Sequence, residues 1–253
     1  MLTTVRPVVR HVGVVVPAHD EQESLPACLA ALRVAARVAR VAAGVAVELL
    51  VVLDDCRDAT AGMAARAGVR TVETAARNVG VARAAGMAAV LARAPAPGTT
   101  WLATTDADSA VGPGWIAGQL ALAGAGADLV VGTVEVRDWS AWPAGVAIAY
   151  AAGYGVREST DLRDGRGSAG GEHPHVHGAN LGIAALAYGR LGGFAPLAVG
   201  EDHRLVDQAV AAGMRVARTR HLPVATSARR HARAPHGFSS HLAALAEDAA
   251  CNR

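Results

Sequence analysis

Val47-Glu48-Leu49-Leu50-Val51-Val52-Leu53-Asp54-Asp55 is an almost wholly apolar, strand-forming run that ends in two carboxylates. Such a run without polar alternation suits a strand covered on both faces, as in a parallel sheet. The same signature stands upstream, where Val12-Gly-Val-Val-Val16 leads into Pro17-Ala-His-Asp-Glu21. It recurs downstream, where Trp101-Leu-Ala-Thr-Thr105 leads into Asp106-Ala-Asp108. Between these runs the period changes. Leu25, Leu29, Leu32 and Ala36 recur at helical spacing behind Ser24, which predicts a helix capped by that serine. Arg33, Arg37 and Arg40 share one side of it and read as a solvated face. Asp58 is the expected cap of a short helix that stops near Gly68, and Val69 to Val72 is a further strand. Val81 to Arg93 is helical until Pro95 and Pro97 end it. Strands alternating with helices of this length mean βαβ units: an α/β domain with a mostly parallel, Rossmann-like sheet and helices on both faces.

The second half is less regular. Residues 128–136 read as a strand and residues 139–156 as an interior or interfacial helix. Residues 157–172, polar and rich in glycine, read as a mobile loop. A helix is expected from Glu201 to Gly213 and a last one from Ser239 to Ala250. At 253 residues the chain suits a single domain. Hydrophobic residues make up 52% and charged ones 18%, which excludes disorder. All 24 basic residues are arginine, a bias of GC-rich coding, and against 22 acidic residues they leave a formal charge of +2. That balance does not suit a surface built to neutralise nucleic acid. Three cysteines without a CxxC argue against a disulfide framework or structural zinc. The short apolar N-terminal run, followed closely by Asp20 and Glu21, is a buried strand rather than a secretion signal. Residues 139–156 contain Pro143 and three glycines, so no membrane span is expected. A cytoplasmic protein is expected. Two tryptophans at the start of that stretch leave association with a membrane surface open.

Ligands of open α/β sheets bind outside the carboxyl ends of the strands. Carboxylates stand just past three of those ends, at Asp20 and Glu21, at Asp54 and Asp55, and at Asp106 and Asp108. A further pair is Glu201 and Asp202. Any one pair could serve as a helix cap, but three strand ends sharing the pattern point to a site. Asp106 and Asp108, two residues apart at a strand end, can face one spot, and hard oxygen ligands suit Mg²⁺ or Mn²⁺.

Taken in order, Pro17-Ala-His-Asp-Glu21, Val51-Val-Leu-Asp-Asp55, Arg77-Asn-Val-Gly80, Asp106-Ala-Asp108 and Gly200-Glu-Asp202 resemble a family-2 glycosyltransferase of the GT-A fold. The resemblance spans roughly residues 12–215. It implies a single GT-A-type domain over residues 1–253: a nucleotide-sugar-binding half (12–135), an acceptor-side half (136–230) and a C-terminal tail and helix (231–253). It implies an inverting, metal-dependent enzyme moving one sugar from a nucleoside-diphosphate sugar, of the UDP class, to a small-molecule or lipid-linked hydroxyl. By the same resemblance, Pro17, Ala18 and Glu21 line the base and ribose, and Asp54 bonds the uracil. Arg77 and Arg83 lie near the diphosphate. Asp106 sits near the ribose or the metal-bound water, and Asp108 is the direct metal ligand. Asp202 is the general base and Glu201 shapes a sugar pocket.

The sequence departs from the pattern in three places. Cys56-Arg57 replaces the usual Gly-Ser, Ala84 stands where an asparagine is usual, and no tryptophan follows Trp142, so the QxxRW element of processive synthases is missing. Single-sugar transfer is therefore expected. His231 and His236 are candidates to complete the metal shell, and Arg229, Arg230 and Arg233 to cover the diphosphate as a lid. His173-Pro-His175-Val-His177 is open to three readings: a metal cluster, a surface loop or an acceptor contact. The alternatives to a transferase are a nucleotide-sugar-binding or inactive paralogue, and a sugar nucleotidyltransferase. The latter would carry a Gly-x-Gly-Thr-Arg-type loop where Pro17-Ala-His-Asp-Glu21 stands. A homodimer is compatible with the sequence.

Overall fold

The computed structural model describes residues 8–163, 173–230 and 238–251. Its first half is the expected alternation: β1 (His11–Ala18), α1 (Leu25–Ala43), β2 (Ala46–Asp54), α2 (Thr60–Arg66), β3 (Arg70–Thr74), α3 (Val79–Leu91) and β4 (Thr100–Thr104). Then follow β5 (Ser109–Val111), α4 (Trp115–Gly124), β6 (Leu129–Val136), α5 (Ala144–Arg163), β7 (Leu181–Ala184), α6 (Ala185–Arg190), α7 (Glu201–Ala211), β8 (Val216–Thr226) and α8 (Phe238–Cys251). One eight-stranded sheet runs in the order β3-β2-β1-β4-β7-β6-β8-β5. The neighbours from β3 to β4 are parallel, and so are β6 and β8. β7 is antiparallel to both β4 and β6, and β5 to β8.

Both faces of the sheet are covered, which is why β1, β2 and β4 lack polar alternation. On one face Val12, Val14 and Val16 pack with Leu25, Leu29 and Leu32 of α1 and with Trp115 of α4. On the other, Val15, Leu50 and Val52 meet Met87 and Val90 of α3 and Leu205 of α7. The α3 contact depends on Gly86, where an added Cβ would lie 2.3 Å from a methyl carbon of Val15. A small third cluster joins Val146 of α5, Ala228 and Leu242 of α8.

Local signals were overridden in several places. Ser24 has helical backbone angles and makes no side-chain cap bond. Instead the Glu21 carbonyl accepts from the amides of Ser24 and Leu25, and proline stands in the first turn. The Asp58 carboxylate does accept from the Thr60 amide at 2.9 Å, although Ala59 occupies the N-cap position. α3 starts two residues before Val81, because Asn78 caps it by accepting from the Val81 amide at 3.0 Å. Residues 157–163, read as loop, continue α5. The rest of that expected loop, 164–172, lies outside the described residues. No helix of the described residues is long and apolar enough to cross a membrane.

Candidate active site

The strand ends converge on a network of ion pairs. Asp54, at the end of β2, is buried, and its carboxylate accepts from the amides of Ala76, Arg77 and Asn78 at 2.8, 3.0 and 2.9 Å and from the Thr74 hydroxyl at 2.9 Å. It thereby ties the loop after β3 to the end of β2. Among the described residues three non-glycines adopt left-handed backbone angles, Asp20 (φ 53°), Asp55 (φ 51°) and Arg77 (φ 47°), and each lies in one of these strand-end turns. Such conformations cost free energy and cluster at functional sites. Asp20 accepts from the Arg57 amide at 2.7 Å, which lowers its pKa, and Arg77 reaches Asp55 at 3.6 Å. His19 joins the two turns. Its Nδ1 lies 2.6 Å from the Asp54 carbonyl and its Nε2 3.5 Å from an Arg77 nitrogen.

Past β4, Asp106 and Asp108 are each met by an arginine from elsewhere in the chain. Arg229, just beyond β8, lies 2.8 Å from Glu21 and 3.2 Å from Asp108. Arg83, almost wholly buried in α3, pairs with Asp106 at 2.5 Å and with Glu201. Gly178 makes room for it: a Cβ there would sit 2.4 Å from the guanidinium carbon. Asp202, in the first turn of α7, accepts from the Gly178 amide at 2.7 Å and from the His203 amide at 2.8 Å. Glu21 thus connects through Arg229 to Asp108, and Asp106 through Arg83 to Glu201, with Asp202 beside it.

The electrostatics follow from burial. Desolvation pushes the Asp108 carboxyl up to about 6; Arg229 opposes this, while Asp106 and Glu21 add to it. Glu201 is raised by burial against the pull of Arg83. Burial disfavours the Arg83 cation, but Asp106, Glu201 and Asp202 outweigh it and raise its pKa. Glu21, Asp106, Asp108 and Glu201 face two arginines, so the cluster carries surplus negative charge. Oxygen donors with surplus charge at a strand end fit Mg²⁺ or Mn²⁺, and Asp108 and Asp106 are the residues that could hold it. Among the described residues no group of three or more His, Cys, Asp or Glu side chains could hold a metal alone, so phosphate oxygens would have to share the shell.

Most residues expected from the sequence do come together, but their surroundings differ. Pro17 and Ala18 end β1 beside the site, and the Cys56 thiol donates to the Ala18 carbonyl at 3.2 Å, filling the turn where Gly-Ser is usual. Arg77 is exposed at the rim. Arg83 and Glu201 are locked to each other in the interior rather than open to a ligand. His231 and His236, like Arg233, lie outside the described residues. Arg230 turns away from the cluster and stacks on Trp142 at 5.5 Å. The histidines of 173–177 form a ladder, with His175 stacked on Tyr154 at 3.4 Å between ring centres and His177 6.2 Å from the same ring. His173 and His175 are buried, so this segment is not a surface loop. Sequence reasoning missed His19 and the structural part of Asn180. The Asn180 amide donates to the Thr133 and Leu222 carbonyls, across the β6–β8 irregularity, and accepts from Trp115 at 2.8 Å.

The fold has solved counterparts. Glucosyl-3-phosphoglycerate synthase from Mycobacterium tuberculosis, in complex with Mn²⁺, UDP and phosphoglyceric acid, superposes with a TM-score of 0.57 at 21% identity, over 94% of this chain and 75% of that one. The same enzyme with Mn²⁺, UDP-glucose and phosphoglyceric acid gives 0.58 at 20%, over 94% and 76%. TarS of S. aureus (residues 1–349) gives 0.56 at 11%, over 93% and 69%. These likenesses show the GT-A fold. No curated protein gave a significant sequence match. The family model "Glycosyl transferase family 2" matches residues 13–184, a span that starts within β1, ends with β7 and holds Asp20, Glu21, Asp54, Asp55, Asp106 and Asp108, whereas Glu201, Asp202 and Arg229 lie beyond it. The chain belongs to glycosyl transferase family 2 and is a glycosyltransferase.

Proposed function

We propose that this glycosyltransferase moves one sugar from a nucleoside-diphosphate sugar, of the UDP class, to a hydroxyl acceptor with inversion at the anomeric carbon. The observation that carries the reading is the linked set Glu21–Arg229–Asp108 and Asp106–Arg83–Glu201, at the carboxyl ends of parallel strands and with Asp202 beside it. A divalent cation on Asp108 and Asp106 would offset the charge that grows on the departing diphosphate. Arg77, exposed at the rim, supplies further positive charge there. Asp202 takes the proton of the acceptor hydroxyl as its oxygen bonds to the anomeric carbon. The bond from that carbon to the diphosphate breaks on the opposite side, and the nucleoside diphosphate leaves. The amides of Gly178 and His203 fix the orientation of the Asp202 carboxylate in the first turn of α7. Arg83 and Glu201 hold Asp106 in place from beneath. Asp54 shapes the base pocket through the loop that it bonds.

Thermal unfolding with UDP, GDP, CDP or dTDP, each with and without Mn²⁺, tests the donor site. A ligand at about one hundred times its dissociation constant adds about 2.7 kcal/mol. Stabilisation by one nucleotide that needs metal and is lost in Asp108→Ala is the expected result. No shift with any nucleotide would overturn the donor-site assignment.

A further inference from the structure

At the opposite edge of the sheet, near the amino ends of β2 and β3, a groove of about 430 Å³ is lined by Arg33, Arg37 and Arg40 of α1, by Val47, by Gly68 and by Arg70. No carboxylate lines it. A guanidinium nitrogen of Arg33 donates to the Ala67 carbonyl, and one of Arg40 donates to the Val47 carbonyl at 3.0 Å. Each guanidinium has five N–H donors, so these bonds fix the two groups in place and leave most of their donors available. Arg37 lies between them in sequence, is exposed, and makes no hydrogen bond or ion pair among the described residues. Arg70 is neutralised by Glu48 at 2.8 Å and adds no net charge.

A solvated helix face ordinarily relieves such crowding by interspersing acids. α1 has none in its 19 residues, although like charges at i, i+4 and i+7 repel one another. Three cations on one stripe beside a groove, two of them fixed by backbone carbonyls, match the planar, multidentate way in which arginine holds phosphate. From this we propose that the groove is a second binding site, separate from the strand-end carboxylates, for a phosphate-bearing anion. The anion is either a free phosphate compound or the headgroup of an anionic lipid. Exposed Val34 and Val41 on the same helix would lie against the acyl region in the second case.

The test measures binding of inorganic pyrophosphate by calorimetry in metal-free buffer, and in parallel the sedimentation of the protein with phosphatidylcholine vesicles with and without phosphatidylglycerol. Wild type, Arg37→Gln and Arg37→Glu are compared, with Arg190→Gln as a control on a distant helix. Arg37 has no partner to lose, so all variants should keep the wild-type unfolding midpoint. Binding that UDP displaces belongs to the strand-end site and is not counted. The expected result is that one or both probes bind, that Arg37→Gln weakens this binding at least about tenfold, that Arg37→Glu abolishes it, and that Arg190→Gln leaves it unchanged. Loss confined to pyrophosphate identifies a free phosphate ligand, and loss confined to phosphatidylglycerol vesicles a lipid headgroup. The proposal is overturned if neither probe binds outside the UDP-displaceable site, or if binding is the same in both Arg37 variants as in wild type.

Discussion

Replacing Arg83 with methionine removes the guanidinium that joins Glu201 to Asp106 while keeping most of the side-chain volume. In the native fold both Arg83 and Glu201 expose only 4% of their side chains, so the glutamate is left in the interior with no cation to meet it. Breaking a buried pair from one side costs about 3–5 kcal/mol. For a chain of this size that lowers the unfolding midpoint by roughly 6–20 °C. Glu201 already has a raised pKa through burial, and losing Arg83 raises it further. The folded variant then binds a proton more tightly than the unfolded chain does, so its stability falls as pH rises and its deficit shrinks in acid. Urea unfolding at several pH values measures both effects. Arg83→Met/Glu201→Gln removes the stranded charge and should recover at least about 1.5 kcal/mol relative to additivity. A loss below about 1 kcal/mol in Arg83→Met, or strict additivity in the double variant, would refute the view of this pair as the buried support beneath Asp106.

Other residues make separable predictions. Asp202→Asn should lower kcat by about 10²–10⁴-fold and leave the metal-dependent UDP stabilisation intact, which steady-state kinetics and thermal unfolding can separate. Asp54→Ala strands three backbone amides and the Thr74 hydroxyl, so a loss of about 3 kcal/mol or more is expected in urea unfolding, with weaker nucleotide binding. His177 is pushed down to about 3, chiefly by burial, and its neighbours His175 and His203 add to the effect. Below about pH 6.5 the unfolded chain therefore takes up a proton that the fold refuses, and stability falls as pH drops, by roughly 2 kcal/mol at pH 5. His177→Phe should flatten that part of the profile.

β1, β2, β4 and β6 were legible because strands buried on both faces leave continuous β-branched runs in the sequence. β5 and β7 are three and four residues long, too short to show a period. β8 carries Arg218, Arg220, His221 and Pro223, which disguise it as loop, and α4 is apolar all round and shows no face. In the site the carboxylates and their order could be read, since Asp20, Glu21, Asp54, Asp55, Asp106 and Asp108 stand at or just past strand ends and Glu201 and Asp202 open a helix. What each one meets could not. The partner of Glu21 lies 208 positions away and that of Glu201 lies 118 away, and no local pattern encodes such pairings. The burial of Arg83 depends on the missing side chain at Gly178, which is visible only once α3 and the 178–180 turn are packed together.

The strand order also constrains how the molecule is assembled during synthesis. β1 to β4 can pair among themselves as they emerge, but β6 is flanked in the sheet only by β7 and β8, both made later. β6 therefore has no strand partner until β7 is made and lacks its second neighbour until β8 follows, a high-contact-order closure that is slow and exposed to misassociation. Arg229 follows β8. On the nascent chain Glu21 and Asp108 thus lack their shared counter-charge until the last strand is in place, and completion of the sheet and neutralisation of these two carboxylates become one event.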